Sequence, residues 1–324
     1  MIAFHPPLWA RSPHLQTLLG ALAGRGARAP LVRERVTLPD GDFIDLDWLS
    51  SGPASGPLVL ILHGLEGSSQ SPYIQRLLRV CQTAGRRAVV MHFRGCSGEP
   101  NILPRGYHAG ETEDLHYMVG LLLARPITGL CIIGFSLGGS VLLKWLGEQQ
   151  GAAPILAAAT ISVPFDLQSA SRRLNRGFSR LYQWILLHWL KRSLARKTKN
   201  RAQDRRALYA IKTFRDFDEA VTAPLHGFTG AEDYYARASC RRFLIHIRVP
   251  TLLLQAADDP FLMPGTVPRP EELSDAVRLE LSAHGGHVGF ISGGLPWAPR
   301  FWLNGRLQAF LDAHLTRSEP GLSR

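Results

Sequence analysis

No stretch of this 324-residue chain approaches the roughly 18 consecutive apolar residues that a membrane-spanning helix needs. Its start, Met1 to Gln16, mixes prolines and histidines and lacks the basic segment and apolar run of a secretory signal. Cysteine is scarce: Cys81, Cys96, Cys131 and Cys240 lie far apart, with no Cys-x-x-Cys pair. That spacing argues against a disulfide frame or a zinc site and reads as reduced thiols, so the expected location is the cytoplasm. Acid is short too, with 26 Asp and Glu against 37 Lys and Arg and a formal net charge of +11. The deficit is local: between Arg172 and Arg215 fourteen basic residues meet a single acid, Asp204. The rest of the chain is near neutral, and no internal repeat or low-complexity tract interrupts it.

What is present is an alternation of strands and helices. Residues 32–38 and 43–49 alternate around Pro39-Asp40-Gly41-Asp42, which signals a hairpin. Residues 58–62 are a short, continuous apolar run, as a strand buried on both faces requires. Further strands are predicted over 88–93, 130–133, 155–163, 251–255 and 277–281. Helices are predicted over 72–84, 110–124, 137–148 and 298–315, while residues 1–30 read as irregular. The pattern implies an α/β fold: a mostly parallel eight-stranded sheet flanked by helices, with ligands at the carboxyl ends of the strands. From 166 to 243 the alternation stops and the sequence turns helical, basic and aromatic. The expected organisation is a core in two segments, 1–165 and 244–324, with a helical basic cap inserted at 166–243.

The strand at 130–133 leads into Gly134-Phe135-Ser136-Leu137-Gly138, followed at once by a helical pattern. Gly-x-Ser-x-Gly in that setting is a nucleophile elbow, a tight turn that lifts a serine hydroxyl above a sheet edge. Alone the motif is weak, since composition produces it in roughly one in five chains of this length and glycine content. Its partners strengthen it. His287, in the Gly-rich loop after the last predicted strand, is the candidate base, and His284 a support for that loop. Asp259, beside Pro260 and after another strand, is the candidate acid, with Asp258 as a neighbour that caps the turn. Three-residue spacing of the histidines without a nearby cysteine or carboxylate does not suit a metal, and no metal or organic cofactor is expected. The order Ser136, Asp259, His287 is that of the α/β-hydrolase fold, unlike the chymotrypsin or subtilisin orders. Backbone N–H groups of Leu137, after the nucleophile, and Leu65, in His63-Gly64-Leu65-Glu66-Gly67-Ser68, are the expected oxyanion donors. His63 itself is expected to be structural.

The chain resembles the YheT-type bacterial hydrolases, a branch of the α/β-hydrolase superfamily with the ABHD lipases among its eukaryotic relatives. The marks are Pro13-His14-Leu15-Gln16-Thr17-Leu18, Leu38-Pro39-Asp40-Gly41-Asp42-Phe43 and the His63–Ser68 string. They continue through Met91-His92-Phe93-Arg94-Gly95-Cys96-Ser97-Gly98-Glu99-Pro100-Asn101, Gly110-Glu111-Thr112-Glu113-Asp114 and His284-Gly285-Gly286-His287-Val288-Gly289-Phe290. The family's serine, aspartate and histidine fall on Ser136, Asp259 and His287. The resemblance implies a carboxylic ester hydrolase of the short-chain esterase or monoacylglycerol lipase type.

The expected partner is therefore a small-molecule ester, with a lipid-derived ester among the candidates. An acyltransferase would use the same residues with an alcohol in place of water. A non-catalytic scaffold is the third reading, and the complete set of partners argues against it. For the basic cap, one reading packs its apolar side on the core and leaves its charges solvated. The other lays it on an anionic bilayer at the inner face of the membrane, aromatic and leucine side chains in the interface. No helix-turn-helix, zinc or RNA-recognition signature accompanies the charge, so no nucleic-acid partner is expected.

Overall fold

The computed structural model describes residues 4–23, 28–51, 55–151, 153–197 and 208–315. Its sheet opens with the antiparallel hairpin of β1 (Leu31–Thr37) and β2 (Phe43–Leu49), whose register sets Leu31 opposite Leu49. Gly41 takes φ 82° at the turn, a conformation that favours glycine. β3 (Leu58–Leu62), β4 (Arg87–Met91), β5 (Leu130–Phe135), β6 (Ala157–Ile161), β7 (Thr251–Ala256) and β8 (Val277–Ser282) complete eight strands in the order β1-β2-β4-β3-β5-β6-β7-β8. β2 runs antiparallel to β4, and every pair from β4 to β8 is parallel.

Side-chain alternation divides the core into two layers. Leu58, Leu60, Leu62, Leu130 and Ile132 face α3 (Glu113–Leu123) and α4 (Leu137–Glu148). Val59, Ile61, Cys131 and Ile133 face α2 (Pro72–Thr83) and the final helix, Trp302–Leu315. A strand buried on both faces needs no polar side, which is why these strands read as continuous apolar runs. Each such leucine or isoleucine contributes about 1.5–3 kcal/mol of burial.

Two expectations fail. Residues 1–30 are not irregular throughout, because Pro13–Leu22 forms helix α1. Ser12 caps it, its hydroxyl accepting from Leu15 N–H, and Pro13 starts it. The face it buries is Gln16, Thr17 and Gly20, so no apolar stripe marks it. At the other end, residues 298–301 are not helical. They form β10 (Ala298–Phe301), paired antiparallel with β9 (Ile291–Leu295) across the turn at Pro296 and Trp297, with Gly294 at φ 78° opposite Pro299. The helix begins only at Trp302.

Between β6 and β7 lie α5 (Leu167–Leu174), α6 (Ser179–Lys197), α7 (Phe214–Phe217), α8 (Ala223–Leu225) and α9 (Ala231–Ala238), with Trp302–Leu315 then α10. A π-helical turn, Asp218–Thr222, joins α7 to α8. These helices carry small apolar clusters of their own, one around Leu187, Ile211 and Phe217, another around Tyr234 and Tyr235. Part of the basic segment, residues 198–207, lies outside the described residues. No helix among the described residues is long and apolar enough to cross a membrane.

Candidate active site

Ser136 sits between β5 and α4 with φ 50° and ψ −117°, left-handed for a residue that is not glycine. Strain of this kind costs about 1–3 kcal/mol and persists only where the surroundings enforce it. Here the Ser136 N–H donates to the Ile161 carbonyl on β6 at 2.8 Å, and its own carbonyl accepts from Ser140 N–H at 3.0 Å. The flanking glycines follow from contact distances. A Cβ on Gly134 would lie 2.7 Å from the Gly138 carbonyl oxygen, and one on Gly138 would lie 2.5 Å from that of His63. No side chain fits at either position.

The loop after β8 brings His287 Nε2 to 3.0 Å from Ser136 Oγ. Its Nδ1 lies 2.9 Å from Asp259 Oδ2, in the loop after β7. Asp259 is 3% exposed, and its other oxygen accepts from Phe261 N–H at 2.8 Å. Gln255 Nε2 donates to Oδ2 at 3.2 Å. The Phe261 ring stacks on the imidazole, with centroids 3.9 Å apart and 14° between planes. A carboxylate beside Nδ1 favours the Nδ1–H tautomer and leaves the Nε2 lone pair facing the serine hydroxyl.

The neighbouring pair takes the supporting place expected of it. Asp258 accepts from Gly286 N–H at 2.9 Å and lies 3.3 Å from His284 Nδ1. Burial holds its carboxyl above the usual range. The sequence reading missed a second brace, from α1. Thr17 Oγ1 accepts from His287 N–H at 2.9 Å while donating to the Pro13 carbonyl at 2.7 Å. Fully buried Gln16 accepts from Ile291 N–H at 2.7 Å and donates to the Ala10 carbonyl at 2.8 Å. A capping serine before Pro13, followed by two polar residues, was the available signal.

The His63–Ser68 loop lies against the serine, since a Cβ on Gly64 would be 3.3 Å from Ser136 Cβ. Gly64 N–H donates to the Tyr73 hydroxyl at 2.9 Å and Glu66 N–H to the Tyr107 hydroxyl at 2.8 Å. Leu65 is thus held between two fixed neighbours, and it lines the same cavity as Ser136 and Leu137. Leu137 is the first residue of α4, where an N–H has no partner within the helix. His63 is buried, accepting from Phe93 N–H at 3.2 Å and donating to the Gly64 carbonyl at 2.7 Å. Desolvation pulls its pKa down to about 3, so it stays neutral and supports the loop.

Several family-like strings meet in a buried ion network instead of the cavity. Arg94 donates to Asp114 at 2.6 and 2.7 Å, to Asp40 at 2.7 Å and to Asp42 at 3.0 Å. Asn101 Nδ2 donates to Asp42 at 2.5 Å. None of these residues lines the cavity at Ser136. His108, Glu111 and His226 also gather, within 4.8 Å of one another. His108 is turned away from metal binding: its Nδ1 accepts from Gly110 N–H at 3.1 Å, which places its proton on Nε2. Glu111 accepts from Arg105 at 2.7 Å and from Glu113 N–H at 2.9 Å. A metal-bound histidine donates its second N–H outward, the reverse of this arrangement.

Ser136 and His287 open into a cavity of about 440 Å³. Leu18, Leu22, Ile185, Leu186, Trp189 and Leu174 give it an apolar wall drawn from α1, α5 and α6. The inserted helices are tied to the core around it. Ser193 Oγ donates to Glu66 at 2.8 Å, and Lys197 Nζ to Asn101 at 2.8 Å and the Arg105 carbonyl at 2.6 Å. Burial lowers the Lys197 ammonium to about 8.

A serine elbow at the carboxyl edge of a mostly parallel sheet, with an aspartate and a histidine brought to it from later strand loops, defines a class. The family described as alpha/beta hydrolase fold matches residues 57–294, and the chain belongs to it. It is 42% identical over 314 residues to "Putative esterase YheT" of Escherichia coli (strain K12), covering 93% of this chain and 91% of that one. It is 31% identical over 309 residues to "Phospholipase ABHD3" of Mus musculus, covering 90% and 74%. It is 33% identical over 246 residues to "Monoacylglycerol lipase" of Saccharomyces cerevisiae, covering 72% and 55%. Among solved structures, the Pyrococcus furiosus esterase Pf2001 superposes with TM-score 0.57 at 17% identity, covering 97% of this chain and 98% of that one, a likeness of fold.

Proposed function

We propose that this protein is a serine carboxylic ester hydrolase that works through an acyl-enzyme. The observation that carries the reading is His287 Nε2 at 3.0 Å from the hydroxyl of a strained Ser136. His287 takes the Ser136 proton as Oγ attacks the ester carbonyl. The oxyanion rests on the N–H groups of Leu65 and Leu137. Asp259 holds the imidazole in its tautomer and stabilises the imidazolium. The alcohol leaves with that proton. Water, deprotonated by the same imidazole, then attacks the acyl carbonyl, and the acid departs with Ser136 restored. The apolar cavity suits an aliphatic acyl chain, in keeping with the lipase and phospholipase names of two relatives.

The test is hydrolysis of a p-nitrophenyl ester series from acetate to palmitate by wild type and Ser136→Ala. The expected loss is about three orders of magnitude or more, with the chain-length optimum reporting the acyl depth. Equal rates in the two proteins would overturn the reading.

The cap also supports a place for the enzyme at an anionic membrane surface. Leu181, Trp184 and Trp189 of α6 are exposed beside Arg180, Arg192 and Arg196, and Trp189 lines the cavity as well. Aromatic and leucine side chains flanked by arginine suit the headgroup boundary of a bilayer.

A further inference from the structure

One carboxyl group breaks the apolar lining of the cavity. Asp218 begins the π-helical turn between α7 and α8 and is nine-tenths buried. Thr222 Oγ1 donates to its Oδ1 at 2.7 Å and the Tyr235 hydroxyl donates to its Oδ2 at 2.8 Å. Tyr235 also lies 3.3 Å from Ser171 Oγ. All four residues line the cavity that holds Ser136 and His287. A carboxylate has about four acceptor sites, and these two hydroxyls fill two of them. Among the described residues no cation pairs with Asp218. A buried acid without a counter-charge is costly, and burial draws its pKa up to about 6. A π-helical turn is itself an uncommon feature that recurs at binding sites.

We propose that Asp218, held by Thr222 and Tyr235, receives a hydroxyl group of the substrate, so that the enzyme selects hydroxylated esters over plain alkyl esters. This assignment rests on the ester-hydrolase reading above. A substrate O–H fills an acceptor site that an alkyl group leaves empty, and the unmet desolvation of that site penalises the alkyl analogue. The hydroxyl can belong to the alcohol part or to the acyl part of the ester, and the experiment separates the two.

The experiment measures kcat/KM of the whole protein for propyl hexanoate, glyceryl hexanoate and the propyl ester of ω-hydroxyhexanoic acid. Wild type is expected to prefer one hydroxylated ester over propyl hexanoate by about tenfold or more. Which one is preferred locates the hydroxyl on the alcohol or the acyl side. In Asp218→Leu that ratio is expected to collapse toward one. Should Asp218→Leu fail to fold, as judged by circular dichroism, the same collapse is read in Asp218→Ala. A wild-type ratio near one for both hydroxylated esters, or a preference kept in the folded variant, would overturn the assignment. Failure of wild type to cleave any of the three esters would instead sink the ester-hydrolase reading itself.

Discussion

Two adjacent carboxylates at the end of β7 show how one position decides a role. Asp259 reaches His287 Nδ1 at 2.9 Å and is nearly sealed from solvent. Asp258 points the other way, to Gly286 N–H and His284. Asp259→Asn should therefore lower kcat by about four orders of magnitude, since it leaves imidazole in the wrong tautomer. Asp258→Asn should cost less than about tenfold, because a loop brace is lost but no reacting group. Steady-state kinetics of the two folded variants checks this, and equal losses would refute the division of labour. Apart from the family resemblance, the sequence pointed to Asp259 through its neighbour Pro260 and its place after a strand. What separates the two acids is side-chain direction, which no local pattern encodes.

At the scale of elements, α1 matters more than its sequence suggests. Its Thr17 hydroxyl holds the His287 backbone, and a Cβ on Gly286 would collide with the Pro13 carbonyl at 2.5 Å. The helix is thus pressed against the histidine loop. Thr17→Val keeps the volume and removes the acceptor, so kcat should fall about tenfold with KM little changed. Thr17→Ser should restore most of it. A Thr17→Val enzyme with unaltered kcat would show that α1 does not position the base. Strands β3, β5 and β7 were legible because burial on both faces writes an uninterrupted apolar run. α1 was not, because it buries a glutamine, a threonine and a glycine, and their partners lie some 270 residues away in the chain. The β9–β10 hairpin was hidden for a related reason. Its pairing depends on Gly294 at positive φ and leaves Leu295 exposed, so no alternation of apolar residues announces it.

For the molecule as a whole, the fold was legible, and so was the meeting of Ser136, His287 and Asp259, because each follows a strand at one edge of one sheet. Long strings such as Arg94–Asn101 carried the resemblance without carrying chemistry, for they build the ion network around Arg94. The cavity wall was the least legible part, since it is assembled from α1, α5 and α6, and helical patterns do not say what they pack against. The exposed face of α6 bears on where the molecule works. In a liposome flotation assay the protein should rise with anionic vesicles and stay down with neutral ones, and salt should weaken the difference. Equal recovery with both would place α6 in solution. If Ser136 is a nucleophile activated by His287, as proposed, a covalent label will find it. Treated with a fluorophosphonate, the wild-type protein should gain one label, which peptide mass spectrometry places on Ser136. His287→Ala should label far more slowly and Ser136→Ala not at all. A label on another residue, or a Ser136→Ala protein that labels like wild type, would contradict the account.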